Sequence, residues 1–422
     1  MMWTFASVAA LLVFIATYVL ISTHRIRFFN LDRPTAALLG GVLMILLGAV
    51  SFGETVRSEK GISWETISLL LGMMVVVAYL KLARFFEWVS TWILLHARTP
   101  KRLLALLIVA SGLLSALFVN DTICVLFTPI VLGAVLKARL NPVPYLIALV
   151  TSANIGSVMT LTGNPQNMLV GIFSKIPYGT FFLLLLPVGA IGLFLDWAIL
   201  RWIYRRDLQG SFDTAGLSLP RVHRAVILRV LTILAVMTAG FLLPLEKWLH
   251  GLGPGQKLPL VALAGAALVV LAGRYRPAQA FHYVDWGLLV FFSGLFVVVA
   301  GINATPLLSS AHDRVKPLLD SGGGLCAFTV VMSNLVSNVP FILVAKPWIE
   351  GNYAWTLVAM ASTFAGNLTI VGSVANMIVL ELSRDRAKIG FWEYFKAGLP
   401  VTAATTLAGF LILHLLHIAT VV

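Results

Sequence analysis

Segment after segment of this chain runs for about twenty residues with almost no charge, enough for a helix to cross the hydrocarbon layer of a bilayer. Roughly bounded, these spans are Trp3–Thr23, Thr35–Phe52, Thr66–Arg84, Pro144–Phe173, Phe181–Tyr204, Ala225–Leu245, Leu258–Ala272, Trp286–Ile302, Trp355–Leu382 and Tyr394–Ile418. Of the 422 residues, 59% are hydrophobic and 11% charged; a soluble domain carries about 25% charged residues. Lipid offers backbone N–H and C=O groups no partners, so such segments must be helices. The chain reads as an all-α polytopic membrane protein with about ten transmembrane helices.

Charge placement sets an orientation. Alternate loops hold Arg25, Arg27, Arg33, Lys81, Arg84, Arg98, Lys101, Arg102, Lys137 and Arg139. They also hold Arg201, Arg205, Arg206, Arg221, Arg224, Arg229, Arg274, Arg276, Arg384, Arg386, Lys388 and Lys396. The opposite loops carry only Arg57, Lys60, Lys175, Lys247, Lys257, Arg314, Lys316 and Lys346, so the ratio is 22 to 8 and the richer side is cytoplasmic. Both termini are then outside. The net charge of +13 follows from this topology; with no basic, aromatic-interleaved surface, nucleic acid is not an expected partner. Cys124 and Cys326 lie in apolar sequence and suggest neither a disulfide framework nor a thiolate metal site. The N-terminal apolar run lacks a basic n-region and is too long for a typical signal peptide, so it reads as a retained helix.

Two further apolar stretches, about 103–136 and 324–347, carry a polar tip in the middle: Asn120-Asp121-Thr122 in the first, Ser337-Asn338 in the second. A stretch too long for one span, polar at its centre, is accommodated by two helical arms meeting within the membrane, a re-entrant hairpin. A single tilted helix is the alternative. A second matched pair follows, TLTGNPQN at Thr160–Asn167 and TIVGSVAN at Thr369–Asn376, where Gly and Pro165 favour interrupted helices. The pairs keep steady offsets: Trp64 with Trp286 and Gly72 with Gly294 at 222 residues, Asn120 with Asn338 and Pro129 with Pro347 at 218, Gly163 with Gly372 and Asn167 with Asn376 at 209, Pro187 with Pro400 at 213. With five crossings per half, this is an inverted structural repeat with discontinuous helices: residues 1–206, a cytoplasmic linker at 207–222, and residues 223–422. The first hairpin enters from the cytoplasm and the second from outside. Secondary transporters use this architecture, with the site at the repeat interface; channels share it.

If the repeats fold around one axis, the tips bring Asn120, Asp121, Thr122, Ser337 and Asn338 together with Gly163, Asn164, Asn167, Gly372, Ser373 and Asn376 of the breaks. Half-helix N-termini suit an anion, whereas freed carbonyls and Asn or Ser oxygens suit Na⁺, with Asn120, Gly163, Asn338 and Gly372 as its candidate ligands. Asp121 is the one carboxylate expected near the bilayer centre, where an ionised group is costly unless a proton or cation neutralises it. It is either a proton or cation coupling site or a helix-capping Asp. Asp196 is expected near the cytoplasmic interface beside Arg201. Asn154 and Asn367 either line the cavity or bond a neighbouring helix. Lys346 is expected to snorkel outward, while Ser152, Ser157 and Ser293 read as helix-packing positions. No HExxH, GxSxG, Walker loop or dinucleotide fingerprint is present, so neither enzymatic nor ATP-driven activity is expected, and no cofactor beyond Na⁺ or H⁺ as coupling ion.

VNDTICVLFTPIV, SANIGSVMTLTGNPQNMLVG and GNLTIVGSVANMIV resemble, in that order, segments of the ion transporter superfamily. That group includes arsenite permeases, divalent anion/sodium symporters, citrate transporters, one sodium/proton antiporter family and the melanosomal P protein. The resemblance spans most of the chain and is nearest to bacterial anion permeases close to the arsenite permeases. It implies two re-entrant hairpins, a mobile transport domain, a scaffold domain that often dimerises, and a bacterial inner membrane. By this resemblance Asn120, Thr122, Ser337 and Asn338 match tip positions that bind ion or substrate, and the residues of the breaks match the unwound positions. Sodium-coupled dicarboxylate members carry Ser-Asn-Thr at both tips. Here Asp121 and Val339 depart from that pattern, against a dicarboxylate and toward proton coupling. The expected function is secondary transport of a small anion or a neutral oxyacid such as arsenite, by symport or antiport with an elevator-like motion. A Na⁺/H⁺ antiporter, a passive channel and a non-transporting receptor are the alternatives.

Overall fold

The computed structural model describes residues 5–22, 32–57, 61–212, 218–245, 251–253 and 255–421. Arg25, Arg27, Lys60, Lys247 and linker residues 213–217 lie outside the described residues. The first half contains α1 (Phe5–Ser22), α2 (Arg33–Leu46), α3 (Phe52–Val56), α4 (Trp64–Leu82), α5 (Phe85–Ala97), α6 (Pro100–Leu117), α7 (Asn120–Lys137), α8 (Val143–Ser157), α9 (Pro165–Ser174) and α10 (Tyr178–Ile203). The second contains α11 (Arg224–Leu242), α12 (Lys257–Ala272), α13 (Pro277–Phe281), α14 (Trp286–Asn303), α15 (Pro306–Leu319), α16 (Gly322–Val336), α17 (Asn338–Ala345), α18 (Gly351–Ala365), α19 (Val374–Ser383) and α20 (Phe391–Val421), with 3₁₀ turns at Lys346–Trp348 and Ile370–Gly372. The protein is all-α, and among the described residues seven helices are long and apolar enough to cross a membrane. Each of the ten expected spans is occupied by one helix or by a broken pair, α8–α9 or α18–α19.

The first hairpin breaks at Phe118–Val119, which rules out a single tilted helix there; both residues are extended. Its arms are longer than expected, 18 residues each, or about 27 Å of helix. The second turns on Ser337, whose φ of 71° and ψ of 157° belong to a region glycine favours. Between span and hairpin, where the apolar pattern predicts only a loop, the structure has α5 and α15. The signal for α5 was present, because Phe86, Ser90, Ile93, Leu94 and Ala97 recur at helical spacing and are its buried face. α15 also has apolar residues at helical spacing, Leu308, Ala311, Val315 and Leu319, but among its described side chains none is fully buried.

Helix starts repeat with the offsets of the sequence pairs. Trp64 opens α4 and Trp286 opens α14; Asn120 opens α7 and Asn338 opens α17; Asn164 and Ser373 precede α9 and α19. Packing follows the same exchange. α2 lies on α14 as α12 lies on α4, α6 on α8 as α16 on α18, α7 on α19 as α17 on α9, and α10 on its equivalent α20. The helices form two bundles. One gathers α1, α2, α4 and α11–α14; the other holds both hairpins, both broken helices, α10 and α20. They touch where α4 meets α9 and α14 meets α17.

α6 and α8 approach closely enough that a Cβ on Gly156 would lie 2.1 Å from the Gly112 carbonyl oxygen, and Ser111 and Ser152 share a hydrogen bond of 2.5 Å beside it. Small residues permit this contact where lipid supplies no hydrophobic drive between helices. Gly156→Val is therefore expected to destabilise the protein by about 1–3 kcal/mol or more through overpacking. Gly133→Ala, which would add a methyl group with nothing within 4 Å, is expected to be neutral. Thermal melting in detergent checks the pair; equal melting temperatures would sink the close-packing account.

Candidate functional site

Each broken helix is held open by an asparagine one turn into its second half. Asn167 Nδ2 donates to the carbonyls of Ser157 (3.1 Å) and Thr160 (3.0 Å). Asn376 Nδ2 donates to those of Gly366 (2.6 Å) and Thr369 (2.8 Å), the same positions shifted by 209. Carbonyls freed by unwinding would otherwise be buried without partners. Asn164 caps α9 by accepting from Asn167 N (2.7 Å) and donates to Ser157 Oγ (2.7 Å). Gly163 must be glycine because a Cβ there would sit 2.2 Å from Ser157 O.

Each hairpin tip then docks on the break of its own half. Asn120 N donates to Gly163 O (2.9 Å). Asn338, its amide oriented so that donors face acceptors, gives Nδ2 to Gly372 O (3.1 Å), Ser362 O (3.1 Å) and Ser333 Oγ (2.6 Å), while Oδ1 accepts from Gln166 Nε2 (3.3 Å) of the other half. Of the four candidate Na⁺ ligands, the two glycine carbonyls thus already accept from their tips. Asn120 Oδ1 and Asn167 Oδ1 are buried acceptors with no hydrogen-bond partner among the described residues.

Asn154 ties the halves together. Its Oδ1 accepts from Asn120 Nδ2 (2.9 Å) and Ser373 Oγ (3.3 Å); its Nδ2 donates to Asn367 Oδ1 (2.8 Å) and Asn376 Oδ1 (3.1 Å). Asn367 Nδ2 passes on to the Thr151 carbonyl (3.3 Å). Of the two readings open for Asn154 and Asn367, the structure has the bonding one. The sequence reading missed three members of this network. Asn334 bonds the carbonyls of Val330 and Ala365 and accepts from Thr369 Oγ1. Gln166 and Thr363 join the two breaks. Asn334 has only Ala116 at its repeat position, so the internal match could not single it out.

Asp121 and Thr122 face away from this network, into a cavity of about 90 Å³ that Lys81 and Asp285 also line. Asp121 is not a cap: α7 has no side-chain capping bond and Val119 holds that position. Arg33 and Asp285 are the charges acting on it, and Arg33 also contacts Met377 of α19. Asp196 is fully buried within the protein and accepts from Thr151 Oγ1 at 3.1 Å, while Arg201, one turn and a half on, stacks on Trp197. Ser152 is a packing residue as expected, whereas Ser157 belongs to the break. Lys346 lies over the Phe173 ring, 4.3 Å from its centroid.

Two bundles, two hairpins and two broken helices meeting in a buried amide cluster define a membrane transporter. The chain matches the model described as citrate transporter over residues 18–365, and it belongs to that family, within the wider ion transporter superfamily. A 46 kDa membrane protein of Mycobacterium leprae is 29% identical, covering 96% of this chain and 97% of its own. The silicon efflux transporter LSI3 of Oryza sativa subsp. japonica is 30% identical, covering 90% and 92%. The crystal structure of the Alcanivorax borkumensis YdaH transporter, described as having an unusual topology, superposes with a TM-score of 0.57 at 15% identity over 97% of each chain; that likeness is one of fold.

The network gives an ordered expectation. Asn376→Ala removes two carbonyl bonds and a partner of Asn154, whereas Asn167→Ala removes carbonyl bonds only. Each stranded buried group costs about 1–3 kcal/mol, so both variants should melt lower than wild type and Asn376→Ala lowest. The reverse order in a detergent melting series would remove the cross-half bond from the account.

Proposed function

We propose that this chain is a secondary active transporter that moves a small neutral oxyacid, of the silicic or arsenous acid kind, coupled to protons at Asp121. One observation carries the reading: the tips and breaks form a buried cluster of amides, hydroxyls and carbonyls, with the Asp121 carboxylate of the first tip at its edge, facing a cavity. Amides and hydroxyls complement the O–H groups of an uncharged acid. The family model is described by citrate and the rice relative by silicon. Around Asp121, two carboxylates stand against Arg33 and Lys81, without the surplus of positive charge a citrate ion needs, so the second description fits better. Coupling follows if Asp121 must be neutralised before the hairpin bundle crosses apolar surroundings. The bundle holding both hairpins is the moving body, and the one built on α2, α4, α12 and α14 the fixed one, in an elevator-type motion. The matched helix starts and exchanged packing support two repeats, 1–206 and 223–422; the charge bias supports their inversion, with both termini outside an inner membrane. Association of the fixed bundles into a homodimer is part of the same reading.

The Oδ1 atoms of Asn120 and Asn167, unpartnered among the described residues, favour one other reading, a Na⁺/H⁺ antiporter, because hard oxygen acceptors suit Na⁺. Proteoliposomes with an internal pH-sensitive dye separate the two. Silicic acid or arsenite added at fixed cation should evoke a pH change, and Asp121→Asn should abolish it while leaving solute counterflow intact. A pH change evoked by Na⁺ or Li⁺ alone would transfer the assignment to the antiporter. Unaltered pH coupling in Asp121→Asn would remove that residue from the mechanism.

A further inference from the structure

Two cavities lie between the bundles, and the repeat relates them. The cavity at Asp121 is lined on α4 by Val77, Ala78 and Lys81; a second, of about 400 Å³, is lined on α14 by Val299, Ala300 and Asn303, each 222 residues on. Asp285, before α14, lines the first where Ser63, before α4, lines the second, and Val125 of α7 corresponds to Leu343 of α17. Equivalent shape follows from equivalent sequence. The next feature does not.

Each cavity carries one lysine laid on an aromatic ring. Lys81 Nζ is 4.1 Å from the Tyr283 centroid and Lys346 Nζ is 4.3 Å from that of Phe173. The two lysines are not repeat partners: Asn303 stands where Lys81 would recur, and Thr128 where Lys346 would. Each half has placed an ammonium in its cavity from a different position, which internal duplication does not explain. The parking is weak. A cation over a ring contributes about 0.5–1 kcal/mol at an exposed site, whereas a hydrogen bond to a charged group contributes about 1.5–3 kcal/mol, so a solute oxygen can draw the lysine off its ring. Carboxylates line both cavities as well, Glu54 the larger and Asp121 and Asp285 the smaller, and keep each from becoming a fixed anion trap.

We propose that these cavities are paired entrance subsites for an oxyacid or its anion, one on each face of the membrane, with Lys346 and Lys81 as their solute-contacting residues. The assignment rests on the transport reading above, and on the charge bias that puts Lys346 outside and Lys81 inside.

Zero-trans uptake of silicic acid into right-side-out and inside-out vesicles tests it. Lys346→Gln should raise KM about tenfold for solute presented outside and leave KM inside unchanged; Lys81→Gln should do the reverse, and Arg at either position should restore affinity. Changes that are equal on both faces, or absent in both variants, overturn the proposal. A binding readout separates it from the transport reading. In protein with Cys124 and Cys326 replaced, Ala300→Cys and Ala78→Cys place one thiol in each cavity, and silicic acid should slow their labelling by a small thiol reagent. That protection should vanish at Ala300→Cys with Lys346→Gln and at Ala78→Cys with Lys81→Gln. Protection without any transport would defeat the transport reading and leave the subsites standing; no lysine-dependent protection at either thiol would defeat the subsites.

Discussion

Everything at the centre of this protein depends on giving partners to backbone groups that two helices release when they unwind inside the bilayer. An unsatisfied carbonyl in hydrocarbon is expensive, and unwinding leaves several of them without their helical partners. Asn167 and Asn376 resolve the conflict in the same way in each half, by folding their amides back on the carbonyls of the break. With the breaks held, Asn120 and Asn338 have carbonyls on which to dock the hairpin tips.

Asn154 makes these local solutions into one site. It spends every hydrogen-bonding group of its amide, reaching Asn120 in its own half and Asn367, Ser373 and Asn376 in the other. A buried polar network that is fully satisfied is rigid and specific, while a partly satisfied one is a liability. Against that background, Asn120 Oδ1 and Asn167 Oδ1 are buried acceptors with no hydrogen-bond partner among the described residues. Around this rigid centre, the bundle of α2, α4, α12 and α14 contributes Arg33, Lys81 and Asp285 near Asp121. Charge thus sits at the boundary between the bundles, and neutral amides sit within the bundle that carries the hairpins.

The duplication is unequal where chemistry is concerned. The first tip is extended through Phe118 and Val119; the second turns sharply on Ser337. Asp121 has Val339 as its repeat partner, and Lys81 has Asn303. Shape is conserved between the halves by the steric needs of close helix packing. Charge is free to diverge, and divergence gives the two halves different electrostatics.

The sequence by itself determined the helical class and the places of the long apolar helices, the hairpin tips and the breaks. Hydrocarbon allows one kind of backbone, and the Asn, Gly and Pro that violate its pattern mark where it must be interrupted. It also singled out most of the residues that meet at the breaks, since the internal match between Thr160–Asn167 and Thr369–Asn376 is visible as text. The tertiary structure alone decided what each of them does there. Spacing places Asn154 and Asn367 near the breaks but cannot say whether their amides meet a cavity or one another. Nor can it tell that Asp121 leaves the helix terminus uncapped and faces a cavity, or that Asp196 buries against Thr151. Those outcomes depend on which helix lies opposite, and the partners of Asn154 are more than two hundred residues away along the chain.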